Sequence, residues 1–476
     1  MFRRKTYDLL KHWKDTKHGT TSILIEGARR VGKSALAMEF AANEYKAHLL
    51  IDFSVAPPEV IDLFRDYRCD MDAFFRYLFA YYNFTPIPRD TLIIFDEVQL
   101  CSEARAFTKQ LVADGRYDYL ETGSLISIQR NVQHILLPSE EESITLHPFD
   151  FEEFLWARDA VPLADLIRDS FTTMTPLSEA LRRQATRLFR EYMLVGGMPH
   201  AIQAYVDENS FQAADESKRL ILTLYKNDIA KFGAGEEARI SAVFQPIPSQ
   251  LARHEKRFRI TSLGRNARNR TYEAAFFWLA DAGLVNLCFN TTDPNVGLDP
   301  TANRNAFKCY FFDTGLLITQ SFTDNMFTPE QLYKDVLSSK IDINEGMLTE
   351  NVVAQQFAGN GHKLYYFSRN DPDTNRNRSE IDFLLAHAYA KAAGHIRISP
   401  RRHQVRQTLH DDVTRQIQNT VRHARRHRIR PASQATRTRW RSRQPAAVHE
   451  RAVVSAQAGH TINHIAVCRY GERSSP

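Results

Sequence analysis

Over the first 160 residues, short apolar runs alternate with amphipathic stretches. Residues 21–26, 47–52, 91–95, 117–121 and 143–146 are short segments rich in aliphatic, aromatic or β-branched residues. They are too short for buried helices and read as strands. Between them, 34–41, 71–82 and 104–113 place apolar residues at helical spacing. Such alternation predicts an α/β unit, a parallel sheet covered by helices, with ligands beyond the carboxyl ends of its strands. From 161 to 233 the strand signals fade. Helical periodicity covers 177–192 and 211–232, with the turn Val195-Gly196-Gly197-Met198-Pro199 between. A helical lid or spacer is the expectation for 161–235. From 236 to 310 the order becomes helix, helix, helix, short strand. Tyr272 to Val285 reads as an amphipathic helix, followed by a Gly cap and a strand. That order suits a winged-helix module. Mixed signals return after 311, with strands at 363–368 and 380–385.

The chemistry sits where the first strand meets the first helix. Gly27-Ala28-Arg29-Arg30-Val31-Gly32-Lys33-Ser34 fills every fixed position of G-x-x-x-x-G-K-[ST]. Gly27 and Gly32 permit backbone angles and close approach that a side chain would block. The loop amides then face phosphates at the positive end of a helix. Lys33 would reach the β- and γ-phosphates, and the Ser34 hydroxyl would hold Mg²⁺. The alternative, a chance glycine-rich turn, does not explain the strand before the loop and the helix after it.

A second run, Thr91-Leu92-Ile93-Ile94-Phe95-Asp96-Glu97, ends in two acids. A buried strand delivering Asp96 to Mg²⁺ and Glu97 to the attacking water is what a magnesium-nucleotide site requires. The alternative is an acidic helix start. A third strand ends at Thr122-Gly123-Ser124. In ATPases with such an acidic pair, the neighbouring strand often ends in a polar residue that senses the γ-phosphate. Thr122 or Ser124 could do this, and a plain turn is the other explanation.

Composition changes the picture at one end only. The five cysteines are scattered without metal-ligand or disulfide spacing, which points to a reducing cytoplasm. No apolar run has the length of a membrane span, and no secretory h-region follows Met1-Phe2-Arg3-Arg4-Lys5. The net charge of +6 conceals a division. Residues 392–476 hold 17 arginines, no lysine and four acids, which leaves the rest of the chain at −7. A basic chain overall is therefore no sign that the folded part binds nucleic acid. Arg259, Arg265, Arg268 and Arg270 precede or open the last helix of the winged-helix segment. They could contact DNA phosphates or form a solvated basic face of a protein-binding module.

After Leu385 phenylalanine disappears, and lysine stops at Lys391. A disordered nucleic-acid-binding arm is one explanation for 397–476. A shifted reading frame is another. Read one nucleotide later, the codons of Gln404, Gln407, Gln416 and Gln418 must encode Lys or Arg. The codons around them permit an ordinary globular sequence. Sequencing the gene across the Ile398 to Gln404 codons decides between the two; an uninterrupted frame shared by close relatives removes the shift.

These blocks resemble bacterial and archaeal P-loop ATPases of the AAA-type superfamily that carry a C-terminal domain of unknown function. The phosphate loop and Phe95-Asp96-Glu97-Val98-Gln99 are generic to P-loop ATPases. The order that follows is more specific: Leu146-His147-Pro148-Phe149-Asp150-Phe151-Glu152-Glu153-Phe154, Gly196-Gly197-Met198-Pro199 and Tyr225-Lys226-Asn227-Asp228-Ile229. It continues with Asp313-Thr314-Gly315-Leu316-Leu317, Glu350-Asn351 and Glu380-Ile381-Asp382-Phe383. The resemblance implies a parallel-sheet P-loop NTPase core (1–160), the lid, the winged-helix module (236–310) and a restriction-endonuclease-like α/β domain, truncated here (311–396). It implies ATP as nucleotide; the residues themselves, which show no guanine-reading N-K-x-D element, leave ATP and GTP open. In the last domain, Glu350, Asp382 and a following acid-x-Lys would share a metal site. The acid-x-Lys is missing, and the shifted frame would restore it as Asp-Ile-Lys.

The functional expectation is Mg²⁺-dependent ATP hydrolysis coupled to a DNA or protein partner. Lys33 and Glu97 would be catalytic, and Ser34 and Asp96 would hold the metal. Ser124 and the loop 27–34 would contact the nucleotide. An arginine finger acting in trans would need a homo-oligomer. The rival is a nucleotide-gated DNA- or protein-binding switch with negligible turnover. An ATP-linked nuclease is a third reading, against which the missing acid-x-Lys argues.

Overall fold

Apolar runs with few polar atoms bury both faces of a strand only if helices cover the sheet, and the three central strands of the first sheet do this, while its edge strands are partly exposed. The computed structural model describes residues 2–124, 140–233, 235–253, 255–264, 267–293, 298–322, 328–338, 345–370 and 377–385. Strands β1 (Ser22–Gly27), β2 (Ala47–Asp52), β3 (Thr91–Asp96), β4 (Asp118–Ser124) and β5 (Glu141–Thr145) form one sheet in the order β2-β3-β4-β1-β5. Every pairing in it is parallel. β4 therefore lies between β1, which leads into the phosphate loop, and β3, which ends in Asp96. The register sets Gly27 beside Ser124.

Helices α1 (Lys5–Lys17), α2 (Lys33–Glu44), α3 (Pro58–Asp66), α4 (Met71–Tyr81) and α5 (Ser102–Asp114) accompany these strands. Pro58 sits at the first turn of α3, where its missing N–H costs nothing. Asp70 caps α4 by accepting from the Ala73 amide. The core between α3, α4, α5 and the sheet is largely aromatic. Phe64 is fully buried, with its ring centroid 5.1 Å from Phe74 and 5.6 Å from Phe95 in edge-on geometry. Arg105 of α5 is also buried, and it pairs with Glu121 of β4 and Glu141 of β5. Thr108 donates to the other Glu121 oxygen at 2.8 Å. Both carboxylates thus have a cation, without which burying them would be costly.

Helices follow: α6 (Phe151–Ala157), α7 (Val161–Thr173), α8 (Glu179–Val195), α9 (Pro199–Glu208), α10 (Phe211–Phe232), α11 (Glu237–Phe244), α12 (Ile247–Leu251) and α13 (Asn269–Asp281). Asp150 and Glu153 close a reciprocal capping box at the start of α6. Ser210 caps α10, the longest of these helices. Next come β6 (Val285–Thr291), β7 (Ala302–Phe311), α14 (Thr314–Ser321), α15 (Glu330–Leu337), α16 (Glu345–Gly359), β8 (Leu364–Asn370) and β9 (Asn377–Leu384).

The chain divides into two compact units, Met1–Cys288 with Arg304–His362, and Phe289–Asn303 with the chain from Lys363 on. In the first, the Gly196-Gly197 turn meets the Asp313 segment. The buried Asp313 carboxylate accepts from the amides of Gly197 and Leu316. Burial pushes its pKa up, against the pull of those bonds. Nearby, Lys218 of α10 is fully buried and donates to the Leu194 carbonyl at 2.8 Å. Burial lowers its pKa to about 8 despite Asp215. In the second unit, β8 and β9 pair antiparallel, and Tyr365 donates to Asp299 at 2.8 Å. The segment 397–476, with its question of reading frame, lies outside the described residues, as does Arg265.

Candidate nucleotide site

Three strand ends converge: β1 leads into the loop 27–34, β3 ends in Asp96-Glu97, and β4 ends in Thr122-Gly123-Ser124. Gly32 is the N-cap of α2 with φ 97°, in the left-handed region that glycine enters without a steric cost. A Cβ on Gly27 would lie 2.4 Å from the Leu146 carbonyl oxygen, so only glycine fits there. Backbone angle thus calls for glycine at Gly32, and close approach together with a φ of 156° calls for it at Gly27. Arg30 also has positive φ, 69°.

Lys33, in the first turn of α2, is buried and folds back on the loop. Its Nζ donates to the carbonyls of Gly27 at 3.2 Å and Ala28 at 3.1 Å. Burial lowers its pKa, while Glu97 and Asp96 pull it back up. The buried ammonium is thus held by two neutral acceptors. Ser34 Oγ donates to Asp96 Oδ1 at 2.8 Å, and the Thr122 hydroxyl donates to the same oxygen. Thr122 Oγ1 in turn accepts from the Glu97 amide at 3.3 Å. Glu97 has φ 52° and accepts from the Gln99 side-chain amide. Ser34, Asp96, Thr122 and Glu97 therefore form one connected polar group beside the loop.

The sequence-derived residues are brought together, with one refinement. Thr122 carries the contact to Asp96, while Ser124 lies beside Gly27 in the sheet. Four other residues meet the loop through contacts that the sequence did not show. Arg4 Nη1 donates to the Val31 carbonyl at 3.1 Å and Nη2 to the His147 carbonyl at 2.7 Å, with Nε paired to Glu153. Tyr225 of α10 donates to the Arg29 carbonyl at 2.8 Å, and Asp228 pairs with Arg29 Nη1 at 2.7 Å. Pro199 is the nearest neighbour of the space where a Gly32 Cβ would stand, at 3.5 Å. The spacing of Tyr225 and Asp228 sets them on one helix face. Nothing local to that helix says which loop the face meets.

Glu350 is buried in the first unit and already paired. Lys256 donates to one oxygen, and Tyr310 to the other at 2.9 Å, with Lys308 3.7 Å away. Burial raises its pKa, but Lys308 and Lys256 outweigh this and hold it low. Asp382 belongs to the second unit. Among the described residues no group of three or more His, Cys, Asp or Glu could hold a metal ion. Arg268 and Arg270 are exposed, and Arg259 pairs with Glu255 at 2.9 Å.

Comparison with known proteins agrees with the geometry of the first domain. Residues 20–155 match a family described as an AAA domain. Residues 186–326 match a family described as a domain of unknown function, DUF8612. No curated protein matches the sequence. Similar solved structures include the Thermotoga maritima RuvB Holliday junction branch migration motor, with 11% identity and TM-score 0.23, covering 40% of this chain and 75% of that one. They also include the Aeropyrum pernix Orc1 protein in complex with DNA, with 9% identity and TM-score 0.25, covering 68% and 93%. Drosophila ORC bound to DNA gives 13% identity and TM-score 0.27, covering 67% and 94%. The family match, the parallel sheet and the loop together make residues 20–155 similar to an AAA-type P-loop domain. Among the described residues no helix is long and apolar enough to cross a membrane.

Proposed function

We propose that the protein hydrolyses ATP at the loop 27–34 and couples turnover to a DNA or protein partner. The observation that carries this is the single hydrogen-bonded group of Ser34, Asp96, Thr122 and Glu97, set beside a buried Lys33. The loop amides of 27–34 take the phosphates, and Lys33 leaves its two carbonyls for the β- and γ-phosphate oxygens. The Ser34 hydroxyl and the Asp96 carboxylate are hard oxygen donors that fit Mg²⁺, and they already share a hydrogen bond. Bound there, Mg²⁺ would neutralise charge on the phosphates. Glu97 orients a water and takes its proton as the water oxygen bonds to the γ-phosphorus. The bond from that phosphorus to the β–γ bridging oxygen breaks, giving ADP and phosphate. Thr122 holds Asp96 and the Glu97 backbone in place.

In this reading 161–235 is the lid, 236–310 the winged-helix module and 311–396 the partial nuclease-like domain. If the partner is DNA, the exposed Arg268 and Arg270 are the residues that would meet its phosphates.

Glu97→Gln keeps the shape and removes the base. ATP binding should persist within about threefold, while turnover falls by at least about a hundredfold. A Gln variant that turns over normally removes Glu97 from the mechanism. If the wild type binds ATP through Lys33 without turnover, the protein is a nucleotide-gated switch. ATP-dependent, salt-sensitive affinity for duplex DNA would then identify DNA as the partner.

A further inference from the structure

The contact between Arg29 and Asp228 joins two segments with separate family matches, one of them without assigned function. Arg29 lies in the phosphate loop, within 20–155, and Asp228 lies on α10, within 186–326. Asp228 Oδ1 accepts from Arg29 Nη1 at 2.7 Å. The two side chains differ in freedom: that of Arg29 is 50% exposed and that of Asp228 only 8%. The guanidinium can swing out, and the carboxylate cannot follow it. The backbone under Arg29 is separately fixed by Tyr225, whose hydroxyl donates to the Arg29 carbonyl. A movement of the side chain therefore need not move the loop. Burial raises the Asp228 pKa, and Arg29 is the first of the groups that lower it.

We propose that Asp228 holds Arg29 in the nucleotide-free protein and yields it to the γ-phosphate of a bound nucleoside triphosphate. This rests on the loop 27–34 being a nucleotide site. A guanidinium in a phosphate loop has two anions to choose between. A γ-phosphate carries more negative charge than a carboxylate and can accept from two guanidinium nitrogens at once, where Asp228 accepts from one. A diphosphate lacks that group and leaves the pair with Asp228 intact. The triphosphate thus frees the side-chain tie between the loop and α10, while the Tyr225 tie persists. The segment matched as a domain of unknown function acquires a role: α10 senses which nucleotide is bound. Asp228 is a positioning residue, acting through Arg29.

The test compares a non-hydrolysable ATP analogue with ADP, both with Mg²⁺, titrated against the full chain. Asp228→Asn keeps shape and removes the charge that competes for Arg29. It should tighten the ATP analogue about fivefold, the scale of a partly exposed ion pair, and change ADP less than about twofold. In an Arg29→Ala background the same substitution should leave the ratio of the two affinities unchanged. Equal tightening of both nucleotides, which removal of any nearby carboxylate would give through space, overturns the proposal. So does an unchanged ratio in the single variant. Should Asp228→Asn not fold, Arg29→Gln must weaken the ATP analogue severalfold and spare ADP; equal weakening overturns the proposal. If the wild type shows no Lys33-dependent nucleotide binding, the nucleotide-site reading itself fails. If binding is normal and only the ratio is unmoved, the ATPase reading stands and the sensing role falls.

Discussion

Thr122→Val removes one hydroxyl and changes little else, because valine matches threonine in volume. The hydroxyl donates to Asp96 Oδ1 and accepts from the Glu97 amide. A hydrogen bond to a charged acceptor contributes about 1.5–3 kcal/mol. Asp96 keeps its bond from Ser34 at 2.8 Å, so the carboxylate is not left bare. The loss is one of aim: Asp96 and the Glu97 backbone are no longer fixed to each other. If the bond acts in the transition state, about 2 kcal/mol corresponds to a thirtyfold fall in kcat. Nucleotide binding, made mainly by the loop amides and Lys33, should weaken less than about threefold. The assay is steady-state phosphate release from ATP with Mg²⁺, with KM and kcat separated. Thr122→Ser should recover most of the rate, since it restores the hydroxyl. A Thr122→Val enzyme with wild-type kcat refutes the reasoning. A rise in KM alone would refute it as well.

Two further outcomes concern stability. Phe64→Ala in the aromatic core should cost about 3–5 kcal/mol by urea unfolding, and a loss below about 1 kcal/mol would contradict the packing described. Lys218 has its pKa lowered by burial to about 8, below its usual 10.5. The unfolded chain then binds more protons between these values, so stability rises with pH above about 8 and is lost as pH falls through it. From pH 7.5 to 9.5 this amounts to about 2 kcal/mol, which Lys218→Met should remove; equal pH slopes for both proteins would contradict it.

Much of the fold was legible because the physics was local. The strand expected at 47–52 and the helix expected at 211–232 are found as Ala47–Asp52 and Phe211–Phe232. The other core strands lie within a few residues of their apolar runs. The phosphate loop and the acidic pair were legible for the same reason, as the chemistry fixes residue type and spacing over a few positions. Contacts that bridge distant parts of the chain were not. Arg4 reaches Val31 and Glu153, and Asp228 reaches Arg29 across 199 positions. A single Arg or Asp carries no periodicity and names no partner. Glu350 illustrates the converse. The family resemblance implied a metal ligand there, and the lysines that pair with it lie 94 and 42 positions away. The choice between Thr122 and Ser124 needed the third dimension. Both are polar residues at one strand end, and the contact that singles out Thr122 is its hydrogen bond to Asp96.

Phosphate release from ATP with Mg²⁺, measured side by side for the wild type and Lys33→Ala, tests the central claim most directly. Turnover in the wild type that falls at least about a hundredfold in Lys33→Ala is the expected result, since no other described side chain in the loop can replace that buried ammonium. Equal release by the two proteins would contradict the account, as it would place any hydrolysis outside this site.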